Sequence, residues 1–328
     1  MTAVMPSEWA PHERTLMAWP CRDDLWGVEL FRAEHQYAGV ANAVAAFEPV
    51  TMVVPGPREA YAARAALTER VSVVVLKVDD SWMRDSGPIF TLDDVTGARA
   101  AVQFGFNAWG EKFEPFEADA TIATRLCELL GEPVARSPLI LEGGSIGVDG
   151  ASVLITTEQC LLHPSRNPDW SREQIEDELR ARLGVREIVW LGRGLVEDRD
   201  TDGHVDLIAA FTAPGELLLQ SVEESDPNHT AMAENRARAE AAGLTVTPFP
   251  LLPRLVVADE EIVASYLNFY VGADFVVVPT AGIPEDDEAL ERIAAAYPAQ
   301  EVVGVPGEVI AYGGGGPHCI TQQVPRTG

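Results

Sequence analysis

Cys319 follows a run of glycines, Gly313, Gly314, Gly315 and Gly316, and is set between His318 and the residues Ile320, Thr321, Gln322 and Gln323. Glycine adopts φ > 0 and lets main-chain N–H groups approach a ligand, as the loop of a nucleophile often requires. A flexible connector beside an inert buried thiol would read the same way, because reactivity depends on a lowered thiol pKa. Upstream, His204, Val205 and Asp206 alternate polar, apolar, polar, so on a strand His204 and Asp206 share one face. A hydrogen-bonded pair buried in a hairpin is the plainer alternative. Trp82 and Asp85 lie in a charged stretch with Asp79, Asp80 and Arg84, where an aromatic ring among carboxylates suits a cation with an apolar stem. Glu142 stands alone between an apolar run and Gly143 and Gly144, either in a site or as a turn acid.

The elements that must position these residues are apolar runs of strand length at 16–19, 50–54, 71–78, 100–106, 152–156, 188–191, 205–211, 216–219, 275–278 and 302–305. Amphipathic helices are expected between them. The clearest begins at Ser171, with Gln174 completing a capping box, Ile175, Leu179 and Leu183 forming the apolar stripe, and Gly184 at the stop. Others are expected over 118–130, 228–242 and 286–297, two of them ending at Gly131 and Gly243. Asp85, Glu142, His204 and Cys319 each lie within three residues of a glycine beside an apolar strand. Their spacing fits a unit of about 58 residues used five times, with one unit contributing no such residue. That pattern implies a closed ring of strand-and-helix modules with the site on its axis. No linker or low-complexity run divides residues 1–328, so a single domain is expected.

A 47% hydrophobic and 23% charged composition is that of a globular chain. No apolar run is long enough to span a membrane, and residues 1–19 lack the pattern of a secretory signal, so a cytoplasmic location is expected. Cys21, Cys127, Cys160 and Cys319 are scattered, which argues against structural zinc or a disulfide framework. A net charge of −27 disfavours nucleic acid and favours cationic ligands, although a solvated acidic surface gives the same number.

Taken together, the segments at 9–20, 79–88, 106–110, 141–149, 157–168, 201–206, 265–270 and 312–325 resemble the motifs of the agmatine deiminases in the guanidine-modifying, or pentein, superfamily. Bacterial peptidyl-arginine deiminases share much of the pattern. The resemblance spans the whole chain. It implies an α/β fold, a five-bladed α/β propeller with pseudo-fivefold repeats around a central active site, in a homo-oligomer that is most simply a dimer. It also implies cysteine-dependent hydrolysis of a guanidinium, with agmatine and water giving N-carbamoylputrescine and ammonia on the route to putrescine. By motif, Cys319 is the nucleophile, His204 the general acid/base and Glu142 its carboxylate partner. Asp85 and Asp206 grip the guanidinium, Trp82 lies against the substrate, and no metal or cofactor is needed. The sequence departs from the usual pattern at Arg199, Leu207 and Gly316-Pro317, positions that bear on the outer end of the substrate.

On that pattern His318, next to Cys319 on a strand, is expected to face away as a structural residue, and Arg84 to face away from Asp85. Cys127 reads as core, and Cys160 has no assigned role. Two other classes fit part of the sequence: a metallohydrolase with His204, Asp206, Glu142 and Asp85 as ligands, and a non-enzymatic acidic propeller that binds polyamines. Deimination of peptidyl-arginine is the alternative reaction on the same fold.

Overall fold

A computed structural model describes residues 3–328 as a mixed α/β fold in which five sheets repeat one pattern. In each, a middle strand has an antiparallel neighbour on one side and a parallel neighbour on the other. Ile89–Asp93, Arg99–Gly105 and Val134–Ile140 form the first set, and Ile146–Val148, Val153–Thr157 and Glu187–Leu191 the second. Ala209–Ala213, Glu216–Gln220 and Thr245–Phe249 form the third, and Tyr270–Val271, Phe275–Thr280 and Glu301–Pro306 the fourth. The fifth joins distant parts of the chain: Thr321–Pro325 runs antiparallel to His12–Ala18, which pairs in parallel with Val50–Val54. A parallel neighbour cannot follow a tight hairpin, so a helix carries the chain across in every set. These helices are Ile122–Leu130, Arg172–Leu183, His229–Ala241, Glu285–Ala296 and Leu30–Ala45.

Local sequence explains most of these elements. The Ser171 and Gln174 capping box forms as expected, Gly184 takes the left-handed conformation at the helix end, and Ile175, Leu179 and Leu183 are buried. The helices Leu30–Ala45 and Pro57–Ala66 were not anticipated. Much of the buried face of the first is alanine, at Ala33, Ala38, Ala41 and Ala45, which gives periodicity little contrast. The strand expected over 205–211 is instead a 3₁₀ turn, Val205–Leu207, followed by the strand Ala209–Ala213. Cys319 likewise sits in a turn ahead of Thr321–Pro325 and not on a strand.

Those turns matter most. The chain entering the antiparallel first strand of each set carries a polar residue inward: Asp85 in Met83–Ser86, Glu142 before Gly143–Ser145, His204 and Asp206 around Val205–Leu207, Asn268 before Tyr270–Val271, and Cys319 before Thr321–Pro325. The repeat expected to contribute nothing therefore supplies Asn268. No helix among the described residues is long and apolar enough to cross a membrane.

Candidate active site

The turns converge on Gly144. A Cβ added there would stand 2.7 Å from Asp206 Oδ2, 2.7 Å from His204 Nδ1 and 2.8 Å from Asp85 Oδ1, so close approach demands glycine. Cys319 Sγ lies 3.3 Å from Asp206 Oδ2. Close packing also explains much of the glycine run. A Cβ on Gly315 would come within 2.8 Å of Cys319 Sγ and 2.7 Å of Trp82, and only Gly314 in the run has a left-handed φ, of 106°. Asn268 fixes the nucleophile's turn: its Oδ1 accepts the Cys319 N–H at 3.3 Å and its Nδ2 donates to the Asp206 carbonyl at 3.2 Å.

The acceptors are unevenly filled. Asp85 Oδ1 takes the Gly144 N–H at 2.9 Å and its Oδ2 takes the Trp109 indole N–H at 3.0 Å. Asp206 Oδ2 meets both Cys319 Sγ and, at 2.8 Å, His318 Nδ1, whereas its buried Oδ1 has no protein partner. An unpaired buried acceptor costs roughly 1–3 kcal/mol, so Oδ1 is a place for a ligand's N–H donors. His204 stands between two carboxylates, with Nδ1 3.9 Å from Asp85 Oδ1 and Nε2 3.7 Å from Glu142 Oε2, and neither nitrogen has a hydrogen bond. Behind it, Glu142 Oε1 accepts from Arg166 Nε at 2.6 Å, and Cys160 Sγ approaches Oε2 at 3.9 Å.

Charge follows from this packing. Burial disfavours the His204 imidazolium, but Asp85 and the contacts with Cys160 and Glu142 outweigh it and hold the pKa well above the ordinary value. Burial raises Asp85 to about 6, aided by Asp206 and Glu142 and opposed by His204. Burial also works on Asp206, yet His318 pulls its carboxyl below the usual range. The Cys319 thiol is pushed well above its ordinary pKa by burial and then by Asp206 and Asp85. Iodoacetamide should therefore alkylate Cys319 faster as pH rises between about pH 6 and about pH 9, roughly tenfold per unit and without a plateau, because the thiolate is the reacting form. Mass analysis of the Cys319 peptide measures this; a plateau at neutral pH would mean that the thiol already ionises in the free protein.

The cavity above Cys319 is walled by Leu25, Trp82, Trp109 and Phe113, with Asp80, Asp85 and Asp200 as its acids. Trp82 is stacked on Trp26, with ring centroids 6.0 Å apart. All the residues singled out in the sequence thus fall in one place: Cys319, His204, Glu142, Asp85, Asp206 and Trp82. Two expectations need revision, at His204 with Asp206 and at His318. His204 and Asp206 meet through a turn and not through strand alternation. His318 does not turn away from the site, because its ring is bonded to Asp206. Arg199 does not line the cavity; it is exposed on an outer cleft that shares Asp200 and Gly314 with it. Arg84 does face away, toward Glu8 at 3.4 Å.

Trp109, Arg166, Asn268 and Glu8 were missed as participants. The first three lie in the family-like segments 106–110, 157–168 and 265–270, which gave them no role, because each acts through a contact with another segment of the chain. Among the described residues, the group able to offer three ligand atoms to a metal is Glu142, Cys160 and His204, within 4.8 Å of one another. That trio differs from the set of His204, Asp206, Glu142 and Asp85 expected of a metallohydrolase.

Comparison with known proteins agrees in extent. The chain is 42% identical to an agmatine deiminase of Stutzerimonas stutzeri, over 98% of this chain and 95% of the relative. It is also 42% identical to a putative agmatine deiminase of Streptomyces coelicolor over 100% of both chains. The solved agmatine deiminase of Enterococcus faecalis superposes with a TM-score of 0.94 at 32% identity, covering 100% of this chain and 97% of that one. The family model for the Porphyromonas-type peptidyl-arginine deiminases matches residues 4–325. On that match and these relatives, the chain belongs to the Porphyromonas-type peptidyl-arginine deiminase family.

Proposed function

We propose that the protein hydrolyses agmatine to N-carbamoylputrescine and ammonia through a covalent amidino intermediate on Cys319. The observation that carries this reading is the convergence at Gly144 of Asp206 Oδ2, 3.3 Å from Cys319 Sγ, with Asp85 Oδ1 and His204 Nδ1, while Asp206 Oδ1 keeps a free acceptor. A guanidinium is a flat array of N–H donors that stays protonated, so two carboxylates fix both its position and its plane. Its charge also offsets the carboxylates that hold the thiol protonated, so the S–H proton is given up to solvent, leaving the thiolate, only once substrate is bound.

The Sγ electron pair then adds to the guanidinium carbon. The C–N bond breaks as the His204 imidazolium passes its proton to the departing nitrogen, giving ammonia and an amidino-thioether. Neutral His204 takes a proton from water, whose oxygen adds to the same carbon, and collapse returns the thiolate and leaves the ureido product. Glu142 stands behind His204 to favour its charged form, as the 3.7 Å separation supports.

The preference for agmatine rests on the outer part of the cavity. Its acids are Asp80, Asp85 and Asp200, and no lysine or arginine lines it. Agmatine carries an amine there, whereas arginine would place a carboxylate among like charges. Agmatine should exceed arginine and an arginine-containing peptide in kcat/KM by on the order of 10²-fold or more. Ammonia and ureido-product release from the three substrates tests this. Equal turnover of arginine would refute the preference and direct attention to Arg199 in the outer cleft. The relatives named agmatine deiminases support the same choice.

The architecture belongs to the same proposal. Five repeated sheets and the return of Thr321–Pro325 to His12–Ala18 support a single-domain, five-bladed α/β propeller around the site.

A further inference from the structure

His318 has so far been only a neighbour of Asp206. Its Nδ1 lies 2.8 Å from Asp206 Oδ2 and its Nε2 lies 2.8 Å from Glu8 Oε1. A carboxylate only accepts, so serving both oxygens requires N–H on both ring nitrogens, which is the imidazolium. Glu8 comes from the irregular segment ahead of His12–Ala18. Together with His318, Asp206, Trp9 and Tyr297 it lines a cavity that shares no lining residue with the one above Cys319.

We propose that Glu8 and His318 are positioning residues for the deimination: Glu8 keeps His318 doubly protonated, and the imidazolium pins Asp206 Oδ2, the oxygen that also meets Cys319 Sγ, and so fixes the carboxylate that takes the guanidinium. The proposal rests on the reading of Asp206 as a guanidinium-binding group. It accounts for the division of labour within one carboxylate, where one oxygen is held from behind and the other is bare. It also places a buried cation beside a thiol that two carboxylates otherwise keep protonated.

The charged and titratable groups around His318 come from several elements. Arg84, in Met83–Ser86, donates from Nε to the His318 carbonyl at 3.3 Å and sets Nη1 3.4 Å from Glu8 Oε1. Asp206 comes from the turn at Val205–Leu207, Glu8 from the N-terminal segment, Tyr297 from the far side of the cavity, and Cys319 is next in the chain. Burial and Arg84 disfavour the imidazolium, Glu8 and Asp206 favour it, and the balance leaves the His318 pKa raised. Glu8 is held at about 2: burial would raise it, but His318 and Arg84 prevail. Glu8 is therefore a carboxylate at neutral pH, and it is the contact of each His318 ring nitrogen with a carboxylate oxygen that calls for the imidazolium.

The sign of the test follows. A raised imidazole pKa means that the charged form is lost as pH rises through it, and removing an anionic neighbour brings that loss to lower pH. Glu8→Gln should move the alkaline limb of kcat/KM for agmatine down by about one pH unit or more. His318→Asn keeps one N–H for Asp206 without the charge; it should lower kcat/KM by about 10- to 100-fold, mainly through KM, and lose that limb. A merely structural pair would scale the rate without moving the limb, so superimposable profiles for wild type and Glu8→Gln overturn the proposal. Nitrogen-15 NMR of histidine-labelled protein gives a readout independent of turnover. A His318 midpoint unmoved by Glu8→Gln would overturn the pair even if no guanidine were hydrolysed, whereas an inactive wild type with a shifted midpoint would overturn only the assigned reaction.

Discussion

Cys319→Ala should abolish ammonia release while agmatine still binds. Binding depends on Asp85 and Asp206, and neither relies on the thiol for its placement: Gly144 and Trp109 hold the first, His318 the second. Loss of a covalent nucleophile should lower kcat by about 10⁴-fold or more, since no neighbouring group can form the amidino intermediate. Cys319→Ser should fare little better, because a hydroxyl ionises far less readily than a thiol of ordinary pKa ~8.5. Calorimetric titration with agmatine beside an ammonia assay separates the two properties. Turnover by either variant within tenfold of wild type would remove Cys319 from the role of nucleophile. Loss of binding together with turnover would instead mean that the substitution disturbs the turn held by Asn268.

The second large effect is expected at Asp206. Asparagine keeps the size of the side chain, but its two ends are no longer alike. His318 and Cys319 both donate toward the position of Oδ2, so the amide oxygen must settle there and the amide nitrogen must replace Oδ1. A bare acceptor thereby becomes a donor aimed at the donors of a guanidinium. Losing a buried charge contact and gaining a donor clash should lower kcat/KM for agmatine by about 10³-fold, shared between KM and kcat because the same oxygen binds the substrate and orients its carbon. Steady-state kinetics on the folded variant decide the matter, and near-normal values would leave Asp206 a structural partner of His318. Asp85→Asn is a less clean comparison, because both oxygens of Asp85 already accept N–H groups and an amide would clash with one of them in the free protein.

Much of this site was legible because glycine and the reactive residues stand together in short segments. Asp85, Glu142, His204, Asp206 and Cys319 were named from such segments, and the turns bring Asp85, His204 and Asp206 to Gly144, with Cys319 beside Asp206 and Glu142 beside His204. The periodic argument also found the repeat, although it left one unit empty where Asn268 stands. An asparagine seated by main-chain contacts has no local mark that distinguishes it from any turn asparagine. Strand alternation was the wrong reason for the right neighbours at His204 and Asp206, since a 3₁₀ turn also places both inward. At His318 it missed the bond to Asp206, although the ring does line a cavity other than the one above Cys319. Arg166 and Glu8 were invisible for another reason. Their importance lies in partners far along the chain, Glu142 for the first and His318 for the second.

The pairing of Thr321–Pro325 with His12–Ala18 has a consequence for how the protein reaches its working state. It places the nucleophile's turn at a seam between residues about three hundred positions apart, and because loop-closure entropy grows only logarithmically with length, the seam costs little more stability than a shorter closure would. The burden falls on time. Contacts so distant in sequence form slowly, after local helices and hairpins are in place. Until that seam zips, Cys319 has no fixed relation to the turns that carry Asp85, Glu142 and Asp206. A reactive thiol and a guanidinium grip therefore come into register as the fold closes, and a chain with most of its secondary structure formed is still catalytically silent.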